Sequence, residues 1–456
     1  MKKTIISAVI GLTFAASSSA AFADDLAEIF QLALQNDPTL KQAQAQRDAA
    51  QKGVDIAQAD WWPQLGFEAG YSRSQRENQL PTDGVIPSES DPLYKSTTTG
   101  WSAGLNLSQT LFSKAVWEQT QIAEKQAYQA EVNYLSERQQ LMIRVVNAYF
   151  SVLERMDDLE FAEAEKRAIE RQLEQTKQRF SVGLTAITDV HEAQAQFDNA
   201  VAREIQAKNA VEIAQESLRE ITGRYHEELA ELDTENFSPS TPNPDKAETW
   251  VTTAEDKNLQ LLVQRVAVEI SEQRIQLAQA GHYPQVSLQA NYGTSDTEAD
   301  RLGTTSDSPR MDNNSIGVNL NVPIFSGFRT SAQADQARAN YVASSQQLEF
   351  TRRGVEREVR NAYYDVVAAV ATIKALEQAV VSAESALNAT QTGFEVGTRT
   401  IVDVLDSTRN LFNARRNLST ARYNYIRQSL TLQQASGKIS EQDLMAINAS
   451  LINENN

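Results

Sequence analysis

The chain has 456 residues, of which 41% are hydrophobic and 22% are charged, and it contains no cysteine. The lack of cysteine excludes disulfide bonds, thiolate metal sites, a catalytic thiol and a lipid-anchored amino-terminal cysteine. The formal net charge of −18 at pH 7 disfavours nucleic acid as a partner and favours cations, and it is also typical of an ordinary soluble surface.

Residues 1–23 have the pattern of a secretory signal peptide. Two lysines follow the first methionine, an apolar run covers residues 5–16, and an Ala-Phe-Ala cleavage pattern precedes Asp24. The apolar run is too short for a membrane anchor, because a helix that spans a bilayer takes roughly 20 residues. No other stretch is expected to be apolar over enough residues for a transmembrane helix, so any membrane insertion of the mature chain would use strands.

The rest of the chain is a tandem duplication of one unit. PQLGFEAGYS at 63–72 matches PQVSLQANYG at 284–293, and RFSVG at 179–183 matches GFEVG at 393–397. Three prolines in a polar setting mark a linker between the two copies. The predicted domains after the signal peptide are a first repeat over 24–223 with a β-hairpin at 63–111, an inter-repeat linker or equatorial region over 224–246, a second repeat over 247–437 with a β-hairpin at 284–324, and a C-terminal tail over 438–456.

Each repeat begins with a helical pattern and continues with two strands. Residues 26–60 and 247–281 are rich in Ala, Gln, Leu and Glu, with apolar residues three and four positions apart, which indicates helix. In the first strand Leu65, Phe67 and Tyr71 alternate with polar residues and glycine, and the other three strands alternate in the same way. The polar segments within the two hairpins are expected to be loops, at 73–100 and 293–314.

The four strands fit either a soluble β-sandwich or an outer-membrane barrel, because alternation does not say whether the apolar face contacts a core or lipid. Three features favour the barrel: the secretory signal, strand lengths near the ~9–11 residues of a membrane strand, and aromatic residues at the strand ends. Four strands cannot close a barrel, and open edges are not tolerated in lipid, so closure requires other copies of the chain. Two copies give about 8 strands and a filled barrel, whereas three give about 12 strands with room for a lumen, so a water-filled pore favours three.

Long helices are predicted after each hairpin. From Lys114 to Val182 the sequence has no glycine or proline, and from Arg329 to Thr392 only Gly354 interrupts. An unbroken helix of this length spans roughly 100 Å, and it needs partners along its whole apolar face. Shorter helical patterns, entered through Val-Gly turns, can fold back along the long helices, and they cover 187–222 and 401–436.

Two repeated motifs carry a resemblance to a known family. AQAxxxPQ precedes the first strand of each half, at 57–64 and 278–285, and VGLTAITDV at 182–190 pairs with VGTRTIVDVLD at 396–406. With the duplicated helix–hairpin–long-helix plan, they resemble the TolC-type outer-membrane efflux proteins over the whole mature chain. The resemblance implies a mixed fold, in which a trimeric 12-stranded membrane β-barrel with four strands per chain joins a long α-helical coiled-coil tunnel.

The same resemblance implies a function, a location and partners. The function is that of an outer-membrane exit duct of tripartite efflux pumps and type I secretion, which passively conducts drugs, toxins and proteins from the periplasm to the exterior. The barrel is expected in the outer membrane of a Gram-negative cell, in contact with lipid, with the helices in the periplasm. The expected partners are further copies of the chain in a homotrimer, a periplasmic adaptor protein of the membrane-fusion type, and an inner-membrane transporter of the resistance-nodulation-division, ABC or major facilitator type.

Asp403 and Asp406 are the predicted gate of this duct. They lie three positions apart at the start of a helix, so both project from nearly one face, and around a threefold axis they would form two acidic rings that select cations. The alternative is helix capping, because Thr400-x-x-Asp403 resembles a capping box. The resemblance implies that the pair forms the periplasmic constriction, and the first repeat has Asp189 and Glu192 at the equivalent positions.

Tethers that hold the gate closed are implied by the resemblance. Asp189 and Arg399 would form one charge-assisted pair, and the alternative is an ordinary surface ion pair worth at most ~1 kcal/mol. Thr188 faces a tyrosine hydroxyl from the other half in the family, whereas this chain has Phe394 at the matching position. We therefore expect a tip that opens more easily than in relatives with tyrosine there.

The Val-Gly turns between long and short helices are the predicted docking points for the adaptor, and they are also simple helix–helix turns. The predicted docking residues are Val182, Gly183, Leu184, Thr185, Val396, Gly397 and Thr398.

Nothing in the sequence predicts an enzyme, a cofactor or a metal site. The histidines, His191, His226 and His282, are scattered, and no H-E-x-x-H, nucleophile elbow or phosphate loop is present. The alternative function is a trimeric surface adhesin or structural coiled-coil protein, but such adhesins place all four strands together at the carboxyl terminus. A secreted soluble coiled-coil protein is a third hypothesis, and it predicts fractionation without detergent.

Overall fold

The structure, a computed structural model, describes residues 24–79, 93–226, 228–301 and 304–452. The predicted signal peptide lies outside the described residues. The chain forms two compact units, and each unit takes segments from both sequence repeats. Unit 1 contains the segment up to Lys41, Glu137–Asn258 and the segment from Glu356 onward, and unit 2 contains Gln42–Ser136 and Leu259–Val355.

Unit 2 holds a four-stranded antiparallel sheet in the order β1-β2-β3-β4. The registers place apolar residues opposite each other, for example Leu65 opposite Leu107 and Leu288 opposite Val318. Leu65, Val318 and Phe67 are exposed, so the apolar face of the sheet does not pack on a core. A lipid-facing barrel strand has such an uncovered apolar face, whereas the apolar face of a β-sandwich strand is buried against the second sheet. The strands are β1 Gln64–Gln79, β2 Leu93–Ser113, β3 Gln285–Arg301 and β4 Thr304–Asn321.

The strands extend well into the segments that the sequence pattern predicts as loops, so that prediction was wrong over most of both segments. Ser74 pairs with Thr98 and Glu77 with Lys95, and the Lys95 Nζ lies 3.3 Å from a Glu77 carboxylate oxygen. These segments are polar on both faces and therefore show no alternation. Backbone hydrogen bonds, unlike alternation, do not depend on an apolar face. The remaining loop residues, 80–92 and 302–303, lie outside the described part of the chain.

The long and short helices lie close to the predicted positions. A single 3₁₀ turn, Ala280–His282, precedes β3. The α-helices are α1 Leu26–Asn36, α2 Pro38–Ala59, α3 Lys114–Ser181, α4 Ile187–Thr222, α5 Ala247–Lys257, α6 Leu259–Gln279, α7 Arg329–Glu395, α8 Ile401–Ala435 and α9 Glu441–Asn448.

Both helical segments at the start of the repeats are broken in two, which the periodicity does not predict. Pro38 has no backbone N–H to continue α1, and the Asp37 carboxylate accepts from the Leu40 backbone N–H at 2.7 Å, which starts α2. Between α5 and α6 the break lies at Asn258, whose side-chain amide donates to the Ala435 carbonyl at 2.9 Å. A proline and a local cap therefore separate α1 from α2, whereas a tertiary contact accompanies the break between α5 and α6.

The core of unit 1 surrounds the middle of α3. Tyr149 and Phe150 are fully buried there, and the Tyr149 hydroxyl donates to the Ala230 carbonyl at 2.6 Å. Residue 230 belongs to the segment 224–246, which the sequence analysis treats as a linker. Leu229 forms a bridge with Asp24 and is buried, so part of this segment packs into the unit.

One described helix, α7, is apolar enough to cross a membrane by length and composition alone. It contains a stretch with a mean hydropathy of 1.5, of which 11% is buried. The expectation that no further stretch reaches this level does not hold for α7, because many alanines and valines together raise its hydropathy without a continuous apolar run. A single helix of this kind is weak evidence for a membrane span.

Candidate functional site

Two matching helix turns, both in unit 1, form the candidate site. We call residues 182–186, between α3 and α4, turn A, and residues 396–400, between α7 and α8, turn B. Gly183 and Gly397 have φ values of +76° and +79°, which side-chain-bearing residues rarely adopt. In turn A the Leu184 N–H donates to the Arg179 carbonyl at 2.9 Å, so the helix ends on a left-handed glycine.

A buried apolar cluster lies beneath both turns, and its residues come from all four adjoining helices. The cluster therefore holds turn A and turn B at the same end of unit 1. Its members are Ile169, Leu173, Ala193, Ala200, Phe394, Ile401, Val404 and Leu405, with Phe197 and Leu387 partly buried against them.

Phe394, the predicted tether position, belongs to this cluster. Its side chain is 7% exposed, and the Arg179 guanidinium carbon lies 4.7 Å from the centre of its ring. Thr188 is exposed on α4. Since phenylalanine has no hydroxyl, it offers no hydrogen bond to Thr188, and its ring packs in the cluster instead.

Asp403 caps the start of α8. Its carboxylate accepts from the Thr400 backbone N–H and hydroxyl, both at 2.8 Å, and the Asp403 N–H donates to the Thr400 hydroxyl at 3.2 Å. This is the capping box that the sequence analysis weighs as the alternative role. The bonds from Thr400, with a smaller effect from the charge of Arg399, hold the pKa of Asp403 below its ordinary value.

Asp406 lies one turn further along α8. It accepts from the Arg409 guanidinium at 2.8 Å, and the Asp406 side chain remains 49% exposed. Capping therefore explains Asp403 but not Asp406. Among the described residues, no group of three or more His, Cys, Asp or Glu side chains is placed to hold a metal ion.

The predicted tether between Asp189 and Arg399 is not formed within one chain. The Thr185 hydroxyl donates to Asp189 instead, while Arg399 is exposed and packs its side-chain stem against Gly393. In the part of the chain that the structure describes, no ion pair joins Asp189 to Arg399. Both charged groups are thus left near the surface of the same end of unit 1.

The predicted docking residues form an exposed apolar surface at the two turns. Val182 and Leu184 in turn A are 69% and 68% exposed, and Val396 in turn B is 70% exposed. Solvated turns are usually polar, so three exposed aliphatic side chains on these two turns are unusual.

Polar contacts between α3 and α8 went undetected in the sequence. Arg427 donates to Glu154 at 2.9 Å, and the Tyr423 hydroxyl donates to Asp157 at 3.0 Å. Burial raises the pKa of Asp157. No spacing in the sequence signals these pairs, because their partners lie in different repeats.

Known proteins match this chain over nearly its whole length. Residues 29–224 and 250–438 match the outer membrane efflux protein family, OEP. The chain is 45% identical to the outer membrane protein TolC of Vibrio cholerae, over 99% of both chains. It is 29% identical to the alkaline protease secretion protein AprF of Pseudomonas aeruginosa, over 95% of this chain and 88% of that protein. Its fold matches the crystal structure of the Campylobacter jejuni CmeC outer membrane channel with a TM-score of 0.74 at 16% identity, over 99% of this chain and 98% of the other.

These matches confirm the predicted family, fold class and outer-membrane location, with the helical part in the periplasm. Family members are trimeric channels, to which each chain contributes a four-stranded sheet. They also confirm the predicted function of an exit duct and leave the adhesin alternative without support. The family match covers most of the chain, and the long helical hairpins and the sheet with an exposed apolar face agree with it. The chain belongs to the outer membrane efflux proteins.

Proposed function

We propose that turn A, turn B and the adjoining start of α8 form the periplasmic gate of this outer-membrane exit duct, and that Asp403 and Asp406 form its constriction. The duct serves efflux and type I secretion. We infer a conducting and not a catalytic role for the chain. The observation that carries the proposal is the buried cluster, since it gathers the ends of four long helices at one place.

The acidic pair suits a constriction because neither carboxylate is neutralised by burial. The capping bonds keep Asp403 ionised, and Asp406 forms an ion pair with the exposed Arg409. Around a threefold axis the two positions form two rings of carboxylates. Acidic rings of this kind attract cations and bind divalent cations more strongly than monovalent ones.

Contacts between protomers are proposed to hold the gate closed. Asp189 is already bonded to Thr185 within its own chain, and Arg399 is exposed, so we place their pairing across the boundary between neighbouring protomers. An exposed pair of this kind contributes about 1 kcal/mol or less, which holds a gate and still lets it open.

A periplasmic adaptor is proposed to dock on the exposed apolar residues of the two turns, Val182, Leu184 and Val396. The adaptor would connect the duct to an inner-membrane transporter of the resistance-nodulation-division, ABC or major facilitator type. The relative AprF is named for secretion of alkaline protease, which supports protein substrates in addition to drugs.

Single-channel conductance in a planar bilayer tests the gate. The detergent-purified protein should give small cation-selective currents that divalent cations block. In the Asp403→Ala/Asp406→Ala variant we expect larger currents and loss of the divalent block. The Glu212→Ala/Glu216→Ala variant, which removes two exposed carboxylates from the opposite end of α4, should behave like the unchanged protein. A divalent block that persists in the α8 variant would place the constriction elsewhere.

A further inference from the structure

A second site lies in unit 1, far along α8 from the gate. A cavity of about 600 Å³ opens between α8, α9 and the segment 233–240. This volume falls within the range of roughly 300–1,000 Å³ that is typical of ligand pockets. The gate and the apolar surface of the two turns use none of its residues, so the proposed function gives it no role.

The floor of the cavity is apolar and rigid. Ile426 and Leu430 of α8 are buried at its base. Phe237 packs edge-on against Tyr425, with ring centres 5.8 Å apart. The Tyr425 hydroxyl accepts from the Ser240 N–H at 2.9 Å and donates to the Ser240 carbonyl at 3.0 Å, which fixes the ring. The two rings lie nearly perpendicular to each other, so the cavity has aromatic lining held in a defined geometry.

The two carboxylates of the lining are already used. Asp233 accepts from the side-chain amide of Asn236 at 2.7 Å and from two backbone N–H groups at 3.1 Å, and these bonds hold its pKa below its ordinary value. Asp443 accepts from the Ser440 N–H at 2.8 Å in the capping box of α9. The described lining residues include no Lys, Arg or His. The cavity therefore repels anions and offers no pair of free carboxylates for a metal ion.

Other polar groups of the lining are unused. The side chains of Ser238, Ser429 and Gln433 have no hydrogen-bond partner among the described residues, yet all three line the cavity. Hydroxyls and an amide offer both donors and acceptors. Their number suits a neutral ligand that itself carries several hydroxyl and amide groups.

We propose that this cavity binds an uncharged, N-acetylated saccharide. The ring hydroxyls of the sugar pair with Ser429 and Gln433, and its C–H face lies against one ring of the perpendicular pair Phe237 and Tyr425. The acetamido methyl fits the aliphatic wall formed by Ile447 and neighbouring alanines of α9, where an unsubstituted hexose has no matching group. The helices lie in the periplasm, the compartment that contains the glycan strands of the cell wall.

Isothermal titration of the full-length, detergent-purified trimer with tri-N-acetylchitotriose tests the proposal, with maltotriose as a probe of the same length that lacks acetamido groups. We expect saturable binding of the first probe alone. Gln433→Leu should weaken binding about tenfold, the change expected when a ligand loses one hydrogen bond. Gln206→Leu, on an exposed face of α4, is the matched control and should leave binding unchanged.

The outcomes separate this inference from the gate, because the measurement involves no current. Equal binding of the two probes, no binding of either, or a Gln433→Leu variant that binds as tightly as the control would overturn the proposal. Ser429→Tyr, which fills the cavity, gives a second route to loss of binding if Gln433→Leu fails to assemble. A further arm uses purified cell-wall sacculi: retention of the protein on them identifies the cell wall as the source, and binding of the soluble probe alone identifies a free glycan fragment.

Discussion

Turn A and turn B derive from one ancestral sequence, yet the structure uses them differently. Phe394 of the turn B segment is 7% exposed, whereas Phe180, its equivalent before turn A, is 42% exposed. Thr400 caps α8 with its side chain, whereas the equivalent Ala186 provides no side-chain cap for α4. Turn B is therefore anchored at both ends of its loop, and turn A is held chiefly by its glycine.

Directly before the two phenylalanines, the repeats also differ at one aligned position. Arg179 precedes Phe180 and reaches across to the ring of Phe394, while the equivalent residue before Phe394 is Gly393. A Cβ atom at Gly393 would lie 2.7 Å from the Arg399 Cγ, so glycine there makes room for the Arg399 side chain. The arginine at 179 and the glycine at 393 therefore give the two turns different surroundings, in addition to the difference in their caps.

Replacing the two phenylalanines one at a time tests whether turn A and turn B differ in stability, and it should give the greatest effect. Phe394→Ala should destabilise the cluster by about 3–5 kcal/mol, the usual loss for a buried aromatic ring, and Phe180→Ala by about 1 kcal/mol or less. Hydrogen exchange of backbone amides near the turns measures both, because local opening controls their protection. Equal loss of protection in the two variants would show that the turns are equivalent.

Exchanging the N-cap residues of α8 and α4 should have the next largest effect on stability. Thr400→Ala should cost α8 about 1 kcal/mol, because the Asp403 N–H loses its acceptor. Ala186→Thr should stabilise the start of α4 by a similar amount, since Asp189 already occupies the position of Asp403 in a capping box. Amide exchange in the first turn of each helix reports the change. If Ala186→Thr gives no added protection, the bond from Thr185 to Asp189 already fulfils the role of the cap.

Phe394→Tyr introduces the hydroxyl that the family resemblance implies at this position. We expect a lower time-averaged conductance than in the unchanged protein, by at most about fivefold, because a tether worth ~1 kcal/mol shifts the open population by that factor. Phe180→Tyr is the matched control, since its ring lies outside the cluster and should leave conductance unchanged. Conductance of Phe394→Tyr equal to or above that of the unchanged protein would contradict the expectation of a looser tip.

The weakest of these effects should be a pH dependence at the start of α8. The folded pKa of Asp403 lies below its ordinary value of 3.8, so its contribution to stability is fully present above that value and is lost as the pH falls through the lowered pKa. Acid should therefore release amides at the start of α8 only below about pH 4. Thr400→Ala should move this loss partway to higher pH, because the hydroxyl that donates to Asp403 is gone while the backbone N–H of residue 400 still donates. An unchanged pH profile in that variant would remove the cap as the cause.

Long periodic patterns made most of the fold predictable. The alternation around Leu65 and Phe67 predicts strands with one apolar face, and the absence of glycine and proline after Lys114 predicts a very long helix. The ends of the helices and strands were harder to predict from the sequence. Ser74 and Thr98 pair in a strand without any apolar signal, and the break at Asn258 depends on a contact with Ala435.

The candidate site was predictable in its residues but not in its contacts. The duplicated turns and the Thr400–Asp403 spacing are visible in the sequence, and the capping box follows from them. The burial of Phe394 is not visible, because Phe180 stands in nearly the same local sequence and is exposed. Which of two equal residues is buried depends on the packing of four helices from both repeats.

The order of strands in the sheet has a consequence for how the chain folds. Ser113 of β2 pairs with Gln285 of β3, so four helices, α3 to α6, lie between these partners along the chain. Such non-local pairing forms slowly, because the intervening chain must be ordered first. Each hairpin can close by itself, but the central ladder waits for the second repeat to arrive in the periplasm. During that interval the first hairpin carries an unpaired edge and an uncovered apolar face, which makes it the stage of folding most in need of an escorting chaperone.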